Sequence, residues 1–135
     1  MKFLSEEFFD EYSVRLKDVF SEGKTKTNVT LTLREDYLDV PHFGGKDAWY
    51  MLEFKNGVLV SFTHGVGLDN APAADYIATS EYEITRKIMR GETSVVKCLT
   101  GGKIKLKGNL MKALKLMDTY NAVQNMKALD GATEW

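Results

Sequence analysis

Residues 101–117 read GGKIKLKGNLMKALKLM, and their pattern changes halfway. The first half alternates lysine with aliphatic residues, which is typical of a strand with one polar face. The second half spaces aliphatic residues as an amphipathic helix does, with Gly108 as a break and Asn109 as a cap between the two. Five lysines and no acid stand in these seventeen residues, although the net charge of the chain is −1. The stretch therefore predicts a strand and a helix with a basic exterior.

The lysines allow more than one interpretation. Lys103, Lys105 and Lys107 fall on one face of the predicted strand, where they could be solvated or could protect a sheet edge from pairing with other chains. They could also attract an anionic membrane surface or a ligand's phosphates. No aromatic residue alternates with them, as a single-strand-binding sheet would require, so no nucleic-acid partner is expected.

Length and composition favour a folded, cytoplasmic protein. A chain of 135 residues fits one domain, residues 1–135, and can bury a substantial core. Its 44% hydrophobic and 27% charged residues are ordinary values for a globular protein. Cys98 is the single cysteine, which favours a reducing compartment.

The first helix is predicted by its cap and its apolar spacing. Ser5 can cap it, Glu6 and Glu7 favour its first turn, and Gly23 can end it. One side of this helix is unusually aromatic; its apolar residues are Leu4, Phe8, Phe9, Tyr12, Leu16, Val19 and Phe20.

Strands follow the first helix. From Thr27 the period changes to two, and two further strand-like runs, 47–54 and 58–64, flank an Asn56-Gly57 pair that predicts a type I′ hairpin turn. The segment 65–74 is predicted to be a loop and 75–79 a short strand.

The second half of the chain adds helices. Ser80 and Glu83 form a capping-box pattern at the start of a helix that ends at Gly91. Residues 93–99 fit a helix or a strand equally well. The order of these elements predicts an α+β domain with helices on one face of a sheet.

Candidate catalytic chemistry is weak in this sequence. Cys98, His64 and Asp75 can be combined into a nucleophilic triad, but their spacing gives no support for one. A buried thiol and two surface histidines are the simpler interpretation. No CxxC, HxxxH or EF-hand pattern predicts a metal site, and no glycine-rich pattern predicts a phosphate loop. We therefore expect no catalytic residue, no metal and no cofactor.

The C-terminal segment has a surplus of apolar residues. They recur every three residues, and a three-residue step makes the apolar side wind around an α-helix; they are Leu114, Met117, Tyr120, Val123, Met126 and Leu129. The segment should be buried in the core, bend near Asp118, border a cavity or meet a partner.

Several stretches together resemble the sterol carrier protein type-2 family of small lipid-binding domains. They are WYMLEFKNG at 49–57, AD at 74–75, SEYEITRKIMRG at 80–91 and, above all, GGKIKLKGNLMKALKL at 101–116. The resemblance implies an α+β domain with a mostly antiparallel five-stranded sheet, covered on one face by helices, that encloses an apolar tunnel. The family binds and transfers fatty acids, fatty acyl-CoAs or sterol-like molecules without catalysis.

The patterns and the resemblance together give a set of expected lipid-binding residues. These are Phe8, Tyr12, Leu16, Trp49, Ile84, Ile88, Leu110, Leu114, Met117 and Tyr120. The loop at 66–73 is longer than the family's usual turn between sheet strands. The alternative is a scaffold or homodimerisation domain that serves a lipid-modifying enzyme through its surplus apolar surface.

Overall fold

The protein is described by a computed structural model that covers residues 1–24, 28–108 and 113–135, without the side chains of residues 113–116. Its helices and strands are α1 Glu6–Val19, β1 Leu31–Leu38, β2 Ala48–Lys55, β3 Val58–Val66, β4 Tyr76–Glu81, α2 Tyr82–Met89, α3 Val95–Thr100, β5 Ile104–Lys107 and α4 Ala113–Asn125. Short 3₁₀ segments are Pro41–Phe43, Leu68–Asn70 and Met126–Gly131.

The five strands form one sheet in the order β3-β2-β1-β4-β5. β1 runs parallel to β4, with Leu33 opposite Tyr76, and β4 runs antiparallel to β5, with Ala78 opposite Leu106. The expected five-stranded α+β fold is confirmed, and the sheet is mixed.

The turn between β2 and β3 follows its local sequence. Asn56 and Gly57 have φ angles of 49° and 81°. Two successive positive values are what a type I′ turn requires, and asparagine and glycine adopt them at the least cost. The predicted hairpin is confirmed.

Two local predictions were wrong. β1 begins at Leu31, after residues 28–30, which are not in a strand; Thr27, where the strand was expected to begin, lies outside the described residues. β1 continues to Leu38 through two acidic residues that an alternating apolar pattern does not include. The capping box is also absent: Ser80 belongs to β4, and α2 begins at Tyr82 without a side-chain cap. The β pairing of Ser80 with Ile104 occupies the residue that was expected to cap the helix.

Serine caps do start two other helices. The Ser5 side chain accepts a hydrogen bond from the Phe8 amide at 3.2 Å, as expected for α1. Ser94 accepts one from the Lys97 amide at 3.2 Å and starts α3, which settles the ambiguous segment as a helix.

The terminal helix does not bend near Asp118. α4 continues to Asn125, and the departure from regular geometry comes later, in Met126–Gly131, where Leu129 and Asp130 have positive φ angles. The predicted cap Asn109 lies outside the described residues.

The chain divides into two compact units. The first consists of Met1–Leu31, Glu53–Phe62 and Asn109–Trp135, and the second of Thr32–Leu52 and Thr63–Gly108. The core of the first unit is largely aromatic, and the core of the second is built on the sheet.

Candidate functional site

The aromatic core of the first unit is centred on α1. Phe8 and Tyr12 are fully buried one helical turn apart, with ring centroids 5.0 Å apart. Phe62 of β3 meets both Phe9 and Tyr12 at 5.9 Å, and the Tyr12 ring is approached edge-on. Such aromatic pairs stabilise a core beyond the area that they bury. They hold α1 against β3.

Tyr12 also makes a polar contact with the terminal helix. Its phenol O–H donates to the carbonyl oxygen of Val123 at 2.8 Å, and both residues are buried. A buried phenol requires such an acceptor, because desolvation without one is costly. α1 and α4 are therefore joined by packing and by a hydrogen bond.

The buried face of α4 and the residues after it is of mixed polarity. Its members are Thr119, Tyr120, Val123, Gln124 and Lys127. Their spacing is that of a regular α-helical face. The apolar residues that recur every three positions are therefore buried only in part. Met117 and Met126 are half-buried, whereas the polar Thr119 and Gln124 are buried.

Lys127 is the buried cation of this face. Its Nζ donates to the Gln124 side-chain carbonyl oxygen, and it lies 5.9 Å from the centroid of the Phe3 ring. An ammonium group over an aromatic face is attracted by the ring quadrupole. The interior of the first unit thus contains a lysine amine, which the apolar spacing did not predict.

In the second unit, a polar cluster lies within the buried part of the sheet. Glu35 and Tyr37 stand two residues apart on β1, so they share a face of the strand. The Tyr50 phenol of β2 donates to Oε2 of Glu35, and the Tyr37 phenol lies 3.4 Å from Oε1. The two phenol oxygens are 3.2 Å apart, and the rings stack at 5.8 Å. The cluster supplies phenol donors and carboxylate acceptors in the interior.

A second acid of β1 is held on the opposite face of the strand. Asp36 receives two hydrogen bonds from the Arg34 guanidinium, at 2.8 and 3.0 Å, and is almost fully buried. Arg34 also donates to the Pro72 carbonyl oxygen. This pairing ties the loop before β4 to that face of β1.

The two isoleucines expected to bind lipid lie on α2. Ile84 and Ile88 are one turn apart and both half-buried, while Tyr82 and Thr85 form the buried side of that helix. An apolar stripe that is not fully covered by protein can contact a ligand. Whether it does stays a prediction.

Trp49 lies on the other face of β2 from Tyr50, because neighbouring strand residues alternate. It is packed against Gly65, where an added Cβ would come 2.8 Å from the indole ring. The indole Nε1 is buried and has no hydrogen-bond partner among the described residues. Its role in lipid binding stays a prediction.

The other expected residues differ in what the structure shows of them. Phe8, Tyr12, Leu16 and Tyr120 are buried, and Met117 is half-buried. Leu110 lies outside the described residues, as does the side chain of Leu114. No sequence signal marked Glu35 or Lys127 as interior groups, because an isolated acid or lysine is usually solvated.

α2 of the second unit carries several polar side chains, and one of them contacts His42. The His42 ring meets Tyr82 edge-on at 5.6 Å, and Arg86 pairs with Glu83 at 3.2 Å. Burial raises the pKa of the Tyr82 phenol above its ordinary value of 10.0; the nearby Arg86 charge opposes this shift and the Glu83 charge adds to it.

A groove of about 380 Å³ lies on the first unit, between α1 and the end of the chain. Arg15 crosses it and pairs with Asp130 at 2.7 Å and with Glu11 at 2.8 Å. Its lining is mainly polar and includes Asp18 and Asn125. The groove does not resemble the apolar tunnel that was expected.

Asp75 and Cys98, two of the three residues that could be combined into a nucleophilic triad, make other contacts. Asp75 accepts a hydrogen bond from the Thr32 amide, and its own amide donates to the Thr32 hydroxyl, both at 2.8 Å. Cys98 is buried, with its sulfur 3.7 Å from the Thr93 hydroxyl. Within the part of the chain that the structure describes, no group of three or more His, Cys, Asp or Glu residues is placed to hold a metal ion.

A helix that crosses a membrane must be both long and apolar. Across residues 1–24, 28–108 and 113–135, no helix is both long and apolar enough to cross a bilayer.

Comparison with solved structures identifies the fold. The chain is similar to a crystal structure of sterol carrier protein 2, with a TM-score of 0.70 and 17% identity over 91% of this chain and 95% of that one. A conserved hypothetical protein from Thermus thermophilus gives a TM-score of 0.68 and 16% identity over 91% and 85% of the two chains. The palmitated sterol carrier protein 2 like 2 of Aedes aegypti gives 0.55 and 19% over 82% and 91%.

The protein therefore has a sterol carrier protein 2-like fold. No protein-family model matches the chain, and no curated protein matches it either. The expected resemblance is thus confirmed for the fold, through structure rather than through overall sequence identity.

Proposed function

We propose that this protein is a single lipid-binding domain, residues 1–135, that binds and transfers a fatty acid, a fatty acyl-CoA or a sterol-like molecule without catalysis. The observation that carries this proposal is the similarity to sterol carrier protein 2 over 91% of the chain. The protein of similar fold from Aedes aegypti is palmitated, which supports an acyl chain as the ligand of this protein.

The energetics of such binding are favourable. Removing apolar surface from water contributes about 0.8 kcal/mol per methylene, so an acyl chain with about fourteen methylenes contributes about 11 kcal/mol before the costs of ordering. Micromolar affinity requires about 8 kcal/mol, so a long acyl chain leaves about 3 kcal/mol for those costs. The half-buried Ile84 and Ile88 of α2 are the described apolar side chains that we assign to the ligand in the second unit.

The test is native mass spectrometry of the purified protein, followed by extraction and lipid analysis. A stoichiometric lipid supports the carrier. A tight, empty dimer that takes up no fluorescent fatty acid would contradict it and would favour the scaffold or dimerisation alternative.

A pair of variants locates the ligand. Ile88→Arg should weaken uptake of a fluorescent fatty acid at least tenfold, because a charge would enter the apolar contact. Val14→Arg is the matched control, since Val14 is 65% exposed on α1. Circular dichroism checks the fold of both, and equal uptake by the two folded variants would remove Ile88 from the site.

A further inference from the structure

The sequence from α3 through β5 is rich in exposed lysines. We define the basic edge as Lys97 of α3, Lys103, which precedes β5, and Lys105 and Lys107 of β5. All four are exposed. None forms an ion pair with another described residue. Their charges therefore act on the solvent side without a protein counterion.

The surrounding sequence leaves this charge largely unopposed. No acid occurs between Thr93 and Met117. Glu81 is the nearest acid in the sheet register, because it follows Ser80, which pairs with Ile104. The exposed Glu92 stands directly before the stretch, so two carboxylates, Glu81 and Glu92, are set against four ammonium groups and the balance is positive.

Protection of the sheet edge explains only part of this arrangement. β5 is an edge strand, and lysines there discourage pairing with other chains. Lys97 lies on α3, outside the sheet, and contributes nothing to that protection. Beside it, Val96 is 64% exposed, so an apolar side chain accompanies the charge.

We propose that the basic edge is the surface by which this protein docks on an anionic lipid bilayer. Ammonium groups near such a bilayer are attracted to its phosphate and carboxylate groups, and an exposed valine can enter the interfacial layer. The inference goes beyond lipid binding and can fail independently of it.

The rest of the structure favours this surface over α1. α1 carries five acids and two basic residues, so an anionic bilayer repels it. The face of β5 that holds the lysines also argues against nucleic acid: Lys105 stands beside Thr79 and Lys107 beside Ile77, neither of which can stack on a base.

Flotation with vesicles tests the proposal. Vesicles of phosphatidylcholine with about one-third phosphatidylserine should bind the protein, whereas pure phosphatidylcholine vesicles should bind it at least tenfold more weakly. Raising the salt from about 0.1 M to about 0.5 M should release it, because the contact is exposed to screening.

The double variant Lys105→Glu with Lys107→Glu should lose at least tenfold in binding to the anionic vesicles. Lys46→Glu is the matched control, because Lys46 is exposed and precedes β2, three strands away in the sheet order. Uptake of a fluorescent fatty acid in the absence of vesicles should be unchanged in all three proteins, which separates docking from lipid binding.

Three outcomes would overturn the proposal. The first is equal binding to neutral and anionic vesicles, or to neither. The second is retained vesicle binding by the double variant. The third is tighter binding to a single-stranded oligonucleotide than to anionic vesicles, which would make the basic edge a nucleic-acid surface.

Discussion

The Tyr50 phenol on β2 donates a hydrogen bond to the Glu35 carboxylate on β1, and Glu35 is only 3% exposed. Two adjacent strands are therefore joined by a side-chain bond in addition to the sheet. The bond stabilises the buried Glu35 side chain, because a buried carboxylate must be hydrogen-bonded to remain in the interior.

Tyr50→Phe should lower the free energy of unfolding by about 2 kcal/mol, since it removes a donor from a buried carboxylate and leaves the packing intact. Urea denaturation with an unchanged m-value measures the loss. Tyr37→Phe is the control: its phenol lies 3.4 Å from Glu35, so its loss should be smaller. Equal losses in the two variants would show that the Tyr50 bond is not the stronger one.

This cluster shows where sequence reasoning stops. The Asn56-Gly57 turn and the Ser5 cap were predictable because a few neighbouring residues decide them. Glu35 was not, because the residue that makes its burial tolerable lies fifteen positions away on another strand. A single sequence does not show that pairing.

The buried residues of the first unit were predictable to a similar extent. Apolar spacing correctly indicated the buried side of α1, including Phe8 and Leu16. The same reasoning failed to indicate Lys127, whose buried amine contacts the Gln124 side chain and the Phe3 ring. Tertiary partners, rather than local pattern, decide which polar residues enter an interior.

Gly65→Ala should destabilise the protein by about 1–3 kcal/mol, because the added methyl would come 2.8 Å from the Trp49 ring and force that packing to shift. Thermal or urea unfolding measures the effect. Repeating the substitution in a Trp49→Leu background forms a double-mutant cycle. The cost of Gly65→Ala should fall in that background, and an unchanged cost would show that the indole is not the obstacle.

Ser5→Ala should lower the free energy of unfolding by about 1 kcal/mol, because Ser5 caps α1 through the Phe8 amide. Ser80→Ala should change it by less than about 0.5 kcal/mol, since Ser80 lies in β4 and caps no helix. The two serines were both expected to be caps, so urea denaturation of this pair tests the correction directly. A larger loss for Ser80→Ala would restore the capping box.

Tyr82 gives a pH dependence of stability. Burial raises the pKa of its phenol above the ordinary 10.0, so the folded state keeps the proton at a pH where the unfolded chain releases it. The stability contribution is therefore complete below about pH 10 and is lost as the pH rises through the folded pKa. Urea unfolding at about pH 9 and about pH 11 should show a larger loss in the wild type than in Tyr82→Phe, which has no phenol to ionise. Equal losses would mean that Tyr82 titrates alike in the folded and unfolded states.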